Sequence, residues 1–126
     1  MKKVLLVEDD SVTRTLLKRM IEGFEYDVTE ALNGKIAWET LCSGESFDLV
    51  VTDIMMPDMD GRELLHLMRV DDRFYEIPVV IVSGELDKNM LSRIAEEYPE
   101  YTRFQEKPVN KAALYNAISS LEDPLS

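Results

Sequence analysis

A single histidine and a single cysteine stand among the 126 residues. His66 alone cannot build a zinc centre from the usual nitrogen and sulfur ligands, and Cys42 alone excludes an internal disulfide. With no histidine in a plausible relation to it, Cys42 reads as a buried filler thiol of a reducing compartment rather than a nucleophile. Basic residues are also short: 14 Lys and Arg face 25 Asp and Glu, a formal net charge of −11. That balance argues against sequence-independent attraction to nucleic-acid phosphates or anionic lipid headgroups, and favours divalent cations and basic protein patches. No apolar run is long enough for a membrane span or the core of a signal peptide, so a soluble, cytoplasmic protein is expected. Glycine-rich phosphate loops are missing as well.

What is present is an alternation of strand and helix patterns. Residues 4–7 are a short continuous apolar run, as in a strand buried on both faces, and 47–52 and 78–82 repeat the pattern. Residues 26–31 alternate weakly and predict a more exposed strand; 102–105 predict a last, weakly marked one. Ser11 stands where a helix cap belongs, and Val12, Leu16 and Met20 run beside Leu17 and Ile21 toward Gly23 as a stripe facing a sheet.

Asn33 and Gly34 turn the chain into a helix with Ile36, Ala37 and Leu41, ended by residues 43–46. Pro57 opens a loop in which Asp60 and Glu63 read as a capping box for a helix through Leu64, Leu65 and Met68. Leu86, Met90 and Ile94 mark a fourth helix, and Asn110 caps a fifth with Leu114, Ala117, Ile118 and Leu121 on one face. These five stripes are expected to be core, and Trp38 half-buried packing. The expected fold is α/β, a doubly wound five-stranded parallel sheet with five helices, in one domain over residues 1–126. Residues 122–126 are expected to be a frayed tail or the end of a piece cut from a longer chain.

The chemistry lies at the strand ends. The first run empties into Glu8, Asp9 and Asp10, the third strand into Asp53, and the last strand into Lys107 and Pro108. Carboxyl ends of parallel strands share one edge, so these groups converge on one crevice, where open α/β sheets bind ligands. Crowded like charges raise at least one carboxyl pKa and call for a cation.

Acids after the first strand, Asp53 after the third, Ser83 after the fourth and Lys107 before Pro108 after the fifth resemble a response-regulator receiver domain of two-component signalling. The resemblance covers residues 2 to about 121 and implies the flavodoxin-like, CheY-like strand order 2-1-3-4-5. Receivers commonly carry an arginine five residues after the second acid of the pair. Counting back from Arg14 makes the pair Glu8 and Asp9, leaving Asp10 as a solvated charge near the start of the first helix.

By the same resemblance Asp53 is the phosphoacceptor, charged by a sensor histidine kinase or phosphotransfer protein with Mg2+ (or Mn2+). Asp9 and Asp53 would ligate the ion directly, Glu8 through water, and Met55 through its carbonyl. Lys107 would neutralise the transferring oxygens, and Ser83 and Phe104 would switch the face formed by helix 4, strand 5 and helix 5. Met55 and Glu85 overhang the site and would set the phosphorylated lifetime. The Lys107-Pro108 bond is expected to be cis.

The resemblance implies no activity beyond self-phosphorylation and self-dephosphorylation, no direct nucleic-acid or membrane binding, and an unknown downstream protein target. It leaves open the kinase, the lifetime, a stand-alone regulator against part of a larger protein, and a homodimer formed on phosphorylation. Residues 99–101 replace the small turn usual in the family with a bulkier, more acidic one. The alternative is a receiver-fold interaction module that does not respond to phosphate. A haloacid-dehalogenase-type phosphatase would need a second acid where Met55 stands, and a flavodoxin would need a hydroxyl- and glycine-rich loop where Glu8, Asp9 and Asp10 stand.

Overall fold

Apolar runs and amphipathic segments alternate, and the computed structural model turns each into an element. It describes residues 1–56, 58–84 and 88–122. The expectations placed on Pro57, Glu85, Leu86 and the tail from residue 123 therefore lie outside the described residues. In chain order the elements are β1 (Lys3–Val7), α1 (Ser11–Gly23), β2 (Asp27–Ala31), α2 (Gly34–Cys42), β3 (Leu49–Asp53), α3 (Gly61–Arg69), β4 (Val79–Ser83), α4 (Lys88–Glu97), β5 (Thr102–Glu106) and α5 (Lys111–Glu122).

The strands pair in parallel in the order β2-β1-β3-β4-β5. Successive side chains of a strand point to opposite faces, so each buried run feeds two cores. Leu5, Val7, Val50, Val79 and Ile81 join Ala37, Leu41, Leu64, Leu65, Met68 and Ile94 from α2, α3 and α4. Val4, Leu6, Val51, Val80 and Val82 join Leu17, Ile21, Leu114 and Ile118 from α1 and α5. This sandwiching is why β1, β3 and β4 read as unbroken apolar runs, each fully buried side chain contributing about 1.5–3 kcal/mol. Trp38 is half-buried and meets Phe74 edge to face, as expected.

Several local expectations are corrected, among them the core placement of Ile36, which is exposed on α2. Asp10, not Ser11, is the cap of α1: its carboxylate accepts from the Thr13 N–H at 2.8 Å and from the Thr13 hydroxyl. Val12 and Leu16 do not face the sheet but are 67% and 50% exposed. At about 100° per residue Val12 lies about 140° and Leu16 about 100° around the helix from the buried Leu17. Cys42 is exposed rather than a buried filler; it ends α2 one residue beyond buried Leu41 and so turns away from the core, 3.8 Å from an Arg73 nitrogen.

Other caps follow the sequence. Asn33 accepts from the Ile36 N–H, Asp60 from the Glu63 N–H and Asn110 from the Ala113 N–H.

Candidate functional site

The register places the ends of β1, β3, β4 and β5 along one edge: Val7 lies beside Thr52, Asp53 beside Val82, and Ser83 beside Glu106. Glu8, Asp9, Asp53, Ser83 and Lys107 are therefore brought to that edge by the fold. Carboxylate oxygens of Glu8, Asp9 and Asp53 all lie within 4.8 Å of one another. The Lys107 amine reaches between two of them, 3.0 Å from Glu8 Oε1 and 3.3 Å from Asp53 Oδ2.

Hydrogen bonds from neighbouring groups fix Asp53, Glu8 and Lys107. The Ile54 N–H donates to Asp53 Oδ1 at 2.8 Å, leaving Oδ2 to the lysine. Arg14 donates to the Glu8 carbonyl at 3.0 Å and pairs with Glu30 at 3.3 Å, pinning the turn after β1 to the end of β2. The Lys107 N–H donates to the Ser83 carbonyl at 2.7 Å, and the Lys107-Pro108 bond is cis, as expected.

Electrostatics separates the acids. Glu8 is fully buried while Asp9 is exposed. Burial pushes the Glu8 carboxyl up to about 7, with the bond from Lys107 opposing and the charge of Asp53 adding to the rise. Crowding was expected to raise a carboxyl here; it does so, but desolvation is the larger cause. Burial lowers the affinity of Lys107 for its proton, yet the Glu8 bond and the charges of Asp53 and Glu8 outweigh it and raise the amine pKa.

Around this centre, the Met55 side chain is 56% exposed two residues past Asp53. Ser83 is buried at the end of β4. Phe104 is half-buried on β5, opposite Ile81 in register, and packs against the core under α2, α3 and α4.

Sequence reasoning missed Gly61 as a site residue. It is buried at the start of α3, its N–H donates to the Ile54 carbonyl at 2.9 Å, and a Cβ there would collide with the Asp53 carbonyl. Gly34 stands likewise against the Met59 carbonyl, to which its N–H donates at 3.1 Å. Two glycines thus let α2 and α3 grip the loop that follows Asp53. The only available signal was a glycine directly after each capping residue.

A family model for the response regulator receiver domain matches residues 4–119. A two-component response regulator of Oryza sativa subsp. japonica is 39% identical over 106 residues, covering 84% of this chain and 78% of that protein. A 3',5'-cyclic-nucleotide phosphodiesterase of Dictyostelium discoideum is 40% identical over 83 residues, 65% of this chain but only 10% of that protein's length. The signal receiver domain of a signal transduction histidine kinase from Syntrophus aciditrophicus has the same fold at a TM-score of 0.84 and 26% identity, over 96% of this chain and 89% of that one.

Proposed function

The chain belongs to the response regulator receiver domain family, and on that premise we propose that Asp53 is a phosphoacceptor charged from a phosphohistidine of a sensor histidine kinase or phosphotransfer protein. The supporting observation is the Lys107 amine placed 3.3 Å from Asp53 Oδ2 beside three carboxylates within 4.8 Å of one another. A nucleophilic carboxylate, a fixed cation and a hard-oxygen donor set share one crevice.

Three carboxylates against one amine suit Mg2+ or Mn2+, with Glu8, Asp9, Asp53 and the Met55 carbonyl as the residues that would hold it. When bound, the ion supplies positive charge to the transferring phosphoryl oxygens. An Asp53 carboxylate oxygen forms the new O–P bond while the P–N bond to the donor breaks, and the bonding pair stays with the imidazole nitrogen. Lys107 then offers its charge to a phosphoryl oxygen, and the buried Ser83 hydroxyl donates to another.

The space that the Ser83 hydroxyl vacates lets Phe104 move inward, which repacks the face of α4, β5 and α5. Water later cleaves the acyl phosphate, returning Asp53 and inorganic phosphate, so the chain acts on itself alone. Val12 and Leu16 on the exposed side of α1, and Met55 two residues past Asp53, are exposed apolar side chains that supply contacts for the protein that donates the phosphoryl group.

Intact-mass spectrometry after incubation with a small acyl-phosphate donor tests the reading, with and without Mg2+, on wild type and Asp53→Asn. The expected result is a Mg2+-dependent gain of one phosphoryl group that disappears in the variant. No gain under any condition overturns it.

A further inference from the structure

The end of the sheet opposite the acidic crevice carries an aromatic surface that phosphoryl chemistry does not use. It is built from the end of α3, the connection into β4 and the connection into β5. Val70 is 66% and Tyr75 45% exposed, and Pro99 is exposed beside them. Tyr75 lines two clefts: one of about 310 Å³ shared with Tyr98, Glu100 and Tyr101, and one of about 510 Å³ shared with Asp72 and Glu76. Exposed side chains of this size, gathered around a cleft, mark a contact surface rather than scattered apolar residues.

The surface is preformed. Arg69 donates to the Tyr75 carbonyl at 3.2 Å, the Ile77 carbonyl at 2.9 Å and the Tyr101 carbonyl at 2.9 Å, sewing both connections to α3. Tyr101 sits at a φ of 61°, in the left-handed region, and its carbonyl also accepts from the Val79 N–H at 2.8 Å. The Tyr75 and Tyr101 rings meet edge to face with centroids 6.2 Å apart, and the Tyr98 hydroxyl is anchored by His66 Nδ1. An occupant would therefore order little of the protein on arrival.

Charge decides what the occupant is. Residues 69–76 and 97–101 hold five carboxylates and two guanidiniums. Asp71 pairs with Arg73 and Glu97 with Arg62, whereas Asp72, Glu76 and Glu100 have no ion pair among the described residues. The two terminal nitrogens of Arg69 are held by carbonyls, its Nε is buried without a partner among the described residues, and its guanidinium lies 5.9 Å from the Tyr101 ring, so Tyr75 and Tyr98 are the rings left for another cation.

Phosphates and anionic lipid are repelled here, and a bare metal ion makes no use of tyrosine faces. A guanidinium uses both components, stacking on the rings and forking onto a carboxylate, which a lysine ammonium does less well. We propose that this pole is a docking surface for an arginine-bearing segment of a partner protein, with a guanidinium entering beside Tyr75 and Tyr98 and pairing with Glu100.

The test is amide chemical-shift mapping of the whole chain with a blocked Arg-Leu-Arg peptide, in Mg2+ to occupy the crevice. The same peptide with citrulline for arginine, which keeps the shape and removes the charge, serves as the comparison. Shifts confined to residues 69–78 and 97–102, with citrulline weaker by about tenfold or more, are expected. A chain carrying Tyr75→Ala and Glu100→Lys, both exposed positions, should lose about the same affinity while its remaining amides stay in place. Shifts centred on Glu8, Asp9 and Asp53, equal binding of the citrulline peptide, or unchanged affinity in the double variant would each overturn the proposal.

Discussion

The main-chain N–H of Lys107 donates to the Ser83 carbonyl at 2.7 Å, tying the residue that follows β5 to the one that closes β4. Ser83 also lies beside Glu106 in the ladder, so neither strand end can shift without the other. The Lys107 amine stands 3.3 Å from Asp53, so the lysine that reaches the acid follows directly on the strand that carries Phe104.

Glu8 makes stability depend on pH. Its carboxyl is raised from 4.5 to about 7, so between those values the folded chain binds more protons than the unfolded one. Stability from this group is fully present below its unfolded pKa and is lost as pH rises through the folded one, by about 3 kcal/mol at 1.36 kcal/mol per unit. Urea unfolding of the metal-free protein at acidic and at mildly alkaline pH should show this fall, and Glu8→Gln should remove most of it. An equal fall in the variant would place its origin elsewhere. Lys107, also raised, contributes stability that is lost only at alkaline pH beyond its ordinary value.

Gly61→Ala sets a methyl group against the Asp53 carbonyl, a main-chain atom that cannot swing aside. A cost of about 1–3 kcal/mol is expected from overpacking, together with slower Mg2+-dependent phosphorylation as the loop after Asp53 shifts. Urea melts and single-turnover labelling read the two effects separately, and a variant with wild-type behaviour in both would dismiss the clash.

The corrected cap of α1 has a direct check. Asp10→Ala removes the acceptor for the Thr13 N–H and should cost about 1 kcal/mol, whereas Ser11→Ala should be nearly silent. Thermal melts of the two variants, with Mg2+ withheld to keep the crevice out of the comparison, should therefore differ. The opposite ranking would return the cap to Ser11.

If the proposed phosphoacceptor role of Asp53 holds, Met55→Asn should change the dephosphorylation rate several-fold, because the Met55 side chain is exposed two residues past Asp53 and would stand in the way of hydrolytic water. The loss of labelled phosphoryl group with time measures it. An unchanged rate sinks that role.

Leu16→Ala separates docking from chemistry. Leu16 is half exposed, so its removal should alter stability by less than about 0.5 kcal/mol. Transfer from a phosphohistidine protein should slow while labelling by a small acyl-phosphate donor stays the same. Equal slowing with both donors would make Leu16 part of the reaction centre instead.

The doubly wound sheet and the site acids were legible in the residues because both follow from strong, local rules. A strand covered on both faces must be apolar throughout, and residues just past such runs must land on one edge when the strands are parallel. Asp53 needs no more than that, whereas the choice of Glu8 and Asp9 over Asp10 rests on the family resemblance through Arg14, and Lys107 follows a strand too weakly patterned for the rule to place alone.

Facing is a different matter. Val12, Leu16 and Cys42 are as apolar as the residues that do pack, but burial depends on the angle at which a helix meets its sheet, and only neighbours distant in sequence set that angle. The same holds for Gly61, whose lack of a side chain matters because the Asp53 carbonyl lies against it, and for Arg69, whose acceptors are the carbonyls of Tyr75, Ile77 and Tyr101. Periodicity determined most of the elements and the convergence of charged residues at their ends, and the family resemblance supplied the last strand and the chemistry expected there. Tertiary packing alone decided which acid is desolvated, which apolar side chains stay outside and how the aromatic pole is sewn together, because each of these is a property of atoms brought close across the fold.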